Sequence, residues 1–407
     1  MRHVSVVQLI ACLLALGGAT AVEAQEINRD PGAGAMMHFG SLALTPRAGV
    51  RDVGIDTNVL NASGTPQRDF TATFATGADV WLGSGQTRLT SKTDLGWVYF
   101  RELADQRSFE VNEQLRLDFI LTRLTPYAAA GYERTRQRPN LEIDARALRM
   151  IRSARLGTVL HAGANVSVDL NAGVRQYVFA EDQTIQDIAL ATALNRTETQ
   201  AGALVKFALT PLTSAVVSVA AQEDRFEFSP VRNSNSLRVL PGFEFKPVAL
   251  IAGSVAVGYR RFDALSPDVP DFRGLIAAVD ASYTARETTR LALQFNRDIE
   301  YSYELTSPYY VATGGTLTLT QAIANDWDAI GRAGRTTMAY QALVGLTPIP
   351  DVTGRRDEVV TYGGGVGRRI GSDLRVGFNV DWTNRRSVVV ERQYTGVRAG
   401  GSVTYGF

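Results

Sequence analysis

Hydrophobic and polar residues alternate with a period of two through most of the chain. Between residues 109 and 121 the odd positions are apolar, except Glu113, and the even positions are mainly polar. The same pattern recurs at 165–175 and 373–383, and it stays clean over 10 to 15 residues at a time. A period of two predicts β-strands with one apolar and one polar face. These runs are longer than the roughly 5–6 residues of an average globular strand.

The segments between the predicted strands fall into two kinds, short turns and long polar loops. The short turns lie near 83–86, 124–126, 157–163, 210–213, 246–249, 285–288, 322–326 and 370–373. The long loops lie near 53–68, 102–107, 134–144, 180–196, 227–235, 262–271, 301–308, 338–357 and 387–393. Short turns at one end and long loops at the other are typical of transmembrane β-barrels.

The pattern therefore predicts an all-β protein, a transmembrane antiparallel up-and-down β-barrel. Eight short turns, with both termini at the short-turn end, predict 18 strands. Sixteen strands remain the alternative, because residues 36–56 and 308–337 are weakly patterned.

The first 24 residues have the features of a secretory signal peptide. Arg2 and His3 precede an apolar run, and Val22–Ala24 ends in small residues that fit a cleavage site. We expect a signal peptide over 1–24, a lead-in over 25–39 and a barrel over 40–407. The only cysteine, Cys12, lies inside the predicted signal. An exported chain without disulfides fits the envelope of a Gram-negative cell, and the strand pattern predicts the outer membrane.

The polar faces of the strands carry charges of both signs, which predicts a water-filled lumen. Because charges of both signs share these faces, the lumen indicates no selectivity for anions or cations. The net charge of the chain is +1, so the composition does not suggest a nucleic-acid partner. We also expect loop 180–196 or loop 338–357 to fold inward as a constriction. The candidate lumen-lining residues are Arg88, Lys92, Glu110, Arg116, Asp118, Asp169, Arg175, Arg290, Asp373, Arg375 and Asp381.

Residues suited to catalysis or metal binding are scarce. The chain has three histidines, and only His161 falls inside the predicted barrel, near a turn. A Ser-His-Asp site needs a histidine base, and a zinc site needs clustered ligands. We therefore expect no enzyme, cofactor or metal site. The glycine run at 363–367 is not followed by a helix, so it predicts close strand packing and not a phosphate loop.

Arginines at alternate positions of one loop, Arg134, Arg136 and Arg138, allow two interpretations. They could screen anions or contact the phosphates of lipopolysaccharide. Alternatively, they are ordinary solvated loop charges.

The C-terminus ends in an apolar stripe with Tyr405 and Phe407, which resembles the signal read by the outer-membrane barrel-assembly machinery. Together with the whole-chain barrel pattern, segments 49–63 and 314–340 resemble the β-barrel porin family of proteobacterial outer-membrane proteins. That resemblance implies an association with exopolysaccharide export or holdfast systems. The partners it suggests are outer-membrane lipid, lipopolysaccharide, the assembly machinery and polysaccharide-export components.

Three functions remain open at this point. The first is a passive hydrophilic pore serving exopolysaccharide export. The second is a non-conducting barrel that anchors a surface polymer or a partner through its loops. The third is a general diffusion porin.

Overall fold

A computed structural model describes residues 31–406, apart from 248, 325, 346–353 and 372. The predicted signal peptide at 1–24 and the terminal Phe407 lie outside the described residues. Within the described part, no helix has both the length and the apolar character needed to cross a membrane.

Eighteen long strands form one antiparallel sheet, in which each strand pairs with its neighbours in the chain. The strands are β1 Leu42–Asp56, β2 Asp69–Ser84, β3 Thr87–Phe100, β4 Ser108–Phe119, β5 Leu124–Thr135, β6 Arg149–His161, β7 Val166–Phe179, β8 Arg196–Thr210, β9 Thr213–Phe226, β10 Ser234–Phe245, β11 Ile251–Ala264, β12 Phe272–Ala285, β13 Thr289–Tyr301, β14 Tyr309–Ala324, β15 Trp327–Gln341, β16 Arg356–Ile370, β17 Leu374–Arg386 and β18 Tyr394–Tyr405. Strand β18 pairs with β1 and closes the sheet into a barrel. The prediction of an 18-strand up-and-down barrel is confirmed, and the alternative of 16 strands is wrong.

Small elements accompany the barrel strands. A short strand Met37–Phe39 pairs with the start of β1, and a hairpin of Thr184–Ile185 with Ile188–Ala189 precedes helix α1, Leu190–Leu194. Single 3-10 turns lie at Pro31–Gly34, Ala104–Gln106, Pro230–Arg232 and Val390–Arg392.

All eight predicted short connections lie at one end of the barrel, together with the start of β1 and the end of β18. The opposite end carries the long loops, among them 136–148, 180–195, 302–308 and 387–393. We call this the long-loop end and the other the short-turn end.

The outer wall of the barrel is apolar, the reverse of a water-soluble protein. Side chains such as Phe109, Leu156 and Leu275 point outward and are 51%, 67% and 64% exposed. Glu113 interrupts this face, and its carboxylate accepts hydrogen bonds from Ser91 (2.8 Å) and Thr93 (2.5 Å) on the neighbouring strand. In a closed sheet every strand is hydrogen-bonded to a neighbour on both sides, and an apolar outer face suits such a sheet to contact with hydrocarbon.

Candidate functional site

The inside of the barrel contains a cavity of about 920 Å³. It extends from the level of Asp79 and Lys92, near the short-turn end, to Pro139 and Ile143 under the long loops. Basic and acidic side chains both line it, on the inward-facing positions that recur at every second residue of each strand. Its inward-facing charged residues are Lys92, Arg116, Arg149, Arg155, Arg175, Arg196, Arg238, Arg260, Asp79, Glu133, Glu198, Asp298 and Glu300.

Several of the sequence-predicted lumen residues, on β3, β4 and β7, meet around Tyr127 of β5. Asp118 lies between Arg116 and Arg88, with nitrogen–oxygen distances of 2.8 and 3.6 Å. The guanidinium of Arg116 stacks 3.8 Å above the ring centre of Tyr127, whose hydroxyl donates to Asp169 at 3.0 Å. Five separate sequence positions thus form one continuous polar strip on the inner wall.

The remaining predicted residues lie elsewhere. Arg175 donates to the Tyr177 hydroxyl at 3.2 Å and lies 3.9 Å from Glu198. Arg290 donates to Ser282 at 3.1 Å. Glu110 accepts hydrogen bonds from Thr135 and Gln137 near the long-loop end, and Lys92 lines the cavity. Asp373 lies in the exposed turn between β16 and β17 and not on the wall.

Arg375 and Asp381 reach across a whole strand to their partners. Arg375 on β17 binds Asp328 on β15 with distances of 2.5 and 3.0 Å. Asp381 on β17 accepts from Arg332 on β15 at 2.9 Å.

These bridges cross β16 above inward-facing glycines of the run at 363–367. A Cβ atom at Gly367 would collide with the Arg375 guanidinium, and one at Gly363 with the Asp381 carboxylate. Gly77 on β2 plays the same part where Arg47 on β1 reaches Asp94 on β3 at 2.8 Å. The glycines therefore clear a path for ion pairs that tie next-nearest strands together.

The loop 136–148, between β5 and β6, crosses the mouth of the barrel at the long-loop end. Its far contacts lie on β17, on loop 387–393 and on loop 302–308, which follows β13, eight strands away from β5. In an 18-strand ring that is almost the diametrically opposite side. We call this segment the crossing loop.

Arg385 on β17, six strands from β5 around the ring, holds the crossing loop. Its guanidinium is fully buried and donates to the Leu141 carbonyl (2.8 Å) and to the Asp144 carboxylate (2.9 Å). The same group pairs with Asp357 at 2.6 Å. Arg392 lies 3.6 Å from Asp144 and donates to the Glu142 carbonyl. We call these contacts the latch.

An apolar cluster lies beneath the latch and joins three loops. Ile143 of the crossing loop packs with Leu190 and Leu194 of α1 and with Tyr303 of loop 302–308, against Phe226 of the wall. These side chains are at most 6% exposed. The crossing loop, loop 180–195 with α1 and loop 302–308 therefore share a small hydrophobic core of their own. We call these three segments the cap.

Glu142 is the most unusual titratable group of the cap. Burial raises the pKa of its carboxyl to about 8. One oxygen contacts Ser302 and the other has no hydrogen-bond partner among the described residues. An unpartnered buried oxygen fits a carboxyl that is largely neutral near pH 7.

The sequence predicted that loop 180–196 or loop 338–357 would fold inward. The structure places 180–195, with α1, in the cap, while residues 346–353 lie outside the described part. The crossing loop was not predicted to do so. The signal that could have found it is the pair of large apolar residues Leu141 and Ile143, which alternate with polar residues in the first part of the loop.

The alternating arginines at the start of this loop contact the protein itself. Arg134 and Arg136 donate to the carbonyls of Phe109 (2.6 Å) and Asp105 (2.9 Å). Arg138 donates to the Asp144 carbonyl (2.7 Å) and the Val59 carbonyl (2.8 Å). Arg138 thereby fixes the turn of the crossing loop.

The described residues contain no group of three or more His, Cys, Asp or Glu side chains arranged to hold a metal ion. His161 is the last residue of β6, at the short-turn end, and its Nε2 atom makes no hydrogen bond to a described residue.

A closed 18-strand barrel with an apolar outside and a charged cavity inside defines the porin-like class of β-barrel. Residues 30–407 match the model of the family described as "Putative beta-barrel porin 2". The chain belongs to this family. A search of curated proteins finds no match.

Solved structures of similar fold are bacterial porins and transporters. OccK2 (OpdF) from Pseudomonas aeruginosa is 10% identical, with 89% of this chain and 96% of that one covered and a TM-score of 0.49. A BenF-like porin from Pseudomonas fluorescens Pf-5 gives 8% identity, 90% and 97% coverage, and a TM-score of 0.48. The FrpB iron transporter from Neisseria meningitidis is 11% identical, with a TM-score of 0.45. The match covers 86% of this chain and only 63% of the FrpB transporter. At this level of similarity none of them bears on the function of this chain.

Proposed function

We propose that this protein is a passive pore in the outer membrane of a Gram-negative cell, and that the crossing loop controls access to it from outside. The observation that carries the proposal is the polarity of the wall. Apolar side chains face outward, and charged side chains surround a cavity of about 920 Å³ inside. A barrel of this strand number is wide enough for an aqueous channel.

Passage through the pore depends on the position of the cap. The crossing loop lies over the cavity, and its latch and apolar cluster are buried. A hydrophilic solute therefore passes only when this loop is displaced. Because the strand ladder closes without the loop, the cap can move while the wall stays intact.

For the cargo, we propose an acidic exopolysaccharide. The family resemblance implies an association with exopolysaccharide export, and the acidic character is inferred from the cavity wall. The cavity wall gives this some support. Lys92 and Arg155 line it and form no ion pair with another described residue, so they are available to carboxylates. A catalytic role has no comparable support, and we propose a non-enzymatic channel.

A non-conducting anchor is the second candidate, and the buried cap is the observation that favours it. The general diffusion porin is the third. The charged lining of the cavity fits both pore candidates, so it does not separate the third from the first.

The test is single-channel conductance of the refolded mature protein in a planar bilayer, with and without an acidic oligosaccharide. Discrete conductance steps that the sugar blocks, and that a neutral sugar of equal length does not, are expected. Conductance blocked equally by both sugars would favour a general porin. Absence of any conductance, from protein shown to be folded by heat-modifiable migration on a gel, would favour the anchor.

A further inference from the structure

Four arginines form a row on the outside of the barrel wall, near the long-loop end. They are Arg225, Arg261, Arg273 and Arg297, on β9, β11, β12 and β13. Arg261 and Arg273 are direct partners in the β11–β12 register. Arg225 donates to Asn235 at 2.8 Å, and Asn235 pairs with Asp263. Arg297 donates to the Leu275 carbonyl, two residues from Arg273. We call these four residues the outer arginine row.

The side chains of this row share the outward face with the apolar band. Leu237 pairs with Arg261, and Tyr259 pairs with Leu275, one position below Arg273 on the same face. Leu237, Tyr259 and Leu275 are 44%, 48% and 64% exposed. The arginines thus lie where the hydrocarbon-facing wall ends. This is the depth at which lipid phosphates are found.

The four arginines of the outer arginine row outnumber the three carboxylates near them, Glu223, Asp263 and Asp271, of which Asp271 acts on Arg261 through its charge. Glu223 lies 3.0 Å from Arg225, and Asp263 serves both Arg261 (2.8 Å) and Arg273 (3.9 Å). Arg297 donates to a backbone carbonyl and to Thr313, and it forms no ion pair with a described residue. Like charges directly opposite each other in a sheet are destabilising. An anion bound between Arg261 and Arg273 would relieve this repulsion.

A groove on the outer wall leads to the same place. Ala172, Ala201 and Ala221 occupy successive positions of one register row that continues to Leu237 and Arg261. With neighbouring outward side chains they line a groove of about 1010 Å³, mostly apolar, which ends at Arg261 and Asp263. An acyl chain fits a groove of this character, and a phosphate fits its arginine end.

A second copy of this chain is a poorer occupant. A two-fold contact through the outer arginine row would place the same surplus of arginines against itself. Like-charge contact opposes association.

We propose that the outer arginine row binds the phosphates of a phosphorylated glycolipid of the outer leaflet, with an acyl chain in the alanine groove. The inference rests on the membrane orientation given in the proposed function, with the long loops outside. It does not require that the pore conducts.

The test uses the refolded full-length mature protein in detergent, with bisphosphorylated lipid A as the probe and native mass spectrometry as the readout. The variant is Arg261→Gln with Arg273→Gln. The matched control is Arg335→Gln, because Arg335 is also outward-facing and 68% exposed but has its own partner, Glu358, at 2.8 Å. Heat-modifiable migration checks that each protein is folded.

Loss of the charge-assisted bonds should weaken lipid A binding by about tenfold or more in the double variant. The control should bind as the wild type does, and dephosphorylated lipid A should bind weakly to all three proteins. Equal binding of lipid A by the double variant and the wild type would overturn the proposal. Equal binding of both lipids by the wild type would also overturn it. So would a protein dimer that the double substitution abolishes, because that result assigns the surface to a second copy.

Discussion

Replacing Asp144 by asparagine should release the crossing loop and open the pore. Asp144 Oδ2 lies 2.9 Å from Arg385, whose side chain is fully buried, and Oδ1 lies 3.6 Å from Arg392. The substitution keeps the size of the side chain but removes the charge. The buried guanidiniums of Arg385 and Arg392 then lose one carboxylate partner, while the hydrogen bonds between the strands of the wall are unchanged.

The size of the effect follows from the burial. Truncating one partner of a buried ion pair costs about 3–5 kcal/mol. Because an amide oxygen still accepts a hydrogen bond, we expect roughly 2–3 kcal/mol here. Each 1.4 kcal/mol is tenfold in an equilibrium, so the ratio of docked to undocked loop should fall roughly 30- to 150-fold.

The assay is the closed-to-open ratio of single channels in a planar bilayer, at constant voltage and salt. Asp182→Asn is the matched control, because Asp182 lies in another long loop, is exposed, and accepts a hydrogen bond from no described residue other than its neighbour Gln183. We expect longer openings in D144N and wild-type behaviour in D182N. Unchanged gating in folded D144N, or the same change in both variants, would show that the crossing loop does not control the pore.

Three further outcomes follow from the cap and the wall. The pKa of Glu142 is about 8 in the docked loop, against an ordinary value of 4.5. Docking of the loop is therefore strongest below about pH 4.5 and weakens as the pH rises through about 8. The open probability of the channel should increase over that pH range, and Glu142→Gln should abolish the increase. Gly367→Val should displace Arg375 from Asp328 and lower the unfolding temperature on heat-modifiable gels, whereas Gly331→Val, where a Cβ meets nothing within 4 Å, should leave it nearly unchanged. Lys92→Glu should reduce the block by acidic oligosaccharide without changing the fold, and a block as strong as in the wild type would remove Lys92 from the proposed path.

The barrel could be predicted from the sequence because every strand repeats one local rule. Facing hydrocarbon outside and water inside forces a period of two, and a charge on the lipid face near the midplane costs about 2–4 kcal/mol. The weak pattern at 36–56 also has a local cause. A bulge between Val50 and Val53, with Asp52 at φ 55°, shifts the register, so outward positions are even before it and odd after it.

The latch could not be predicted, because it joins positions far apart in the sequence. Arg385 and Asp144 are 241 residues apart, and neither differs in its local context from the other loop and strand charges. The pairing depends on the closure of the ring, which brings β17 within reach of the crossing loop. Strand pairing follows chain order, whereas contacts across the mouth depend on strand number and loop path together.

The wall and the cap use the same chemistry with different consequences. In the wall, Arg375 and Asp328 lie on strands that the ladder already fixes, so their ion pair adds stability to a structure that forms without it. In the cap, Arg385 and Asp144 help to link a loop to a part of the wall that no backbone ladder joins to it. The energy of that link therefore appears as a difference between two states of one loop, and not as stability of the barrel. A protein built in this way can change the free energy of docking of its cap by a few kcal/mol without unfolding a strand. Loss of one proton from Glu142, or displacement of the Asp144 carboxylate from Arg385, is enough.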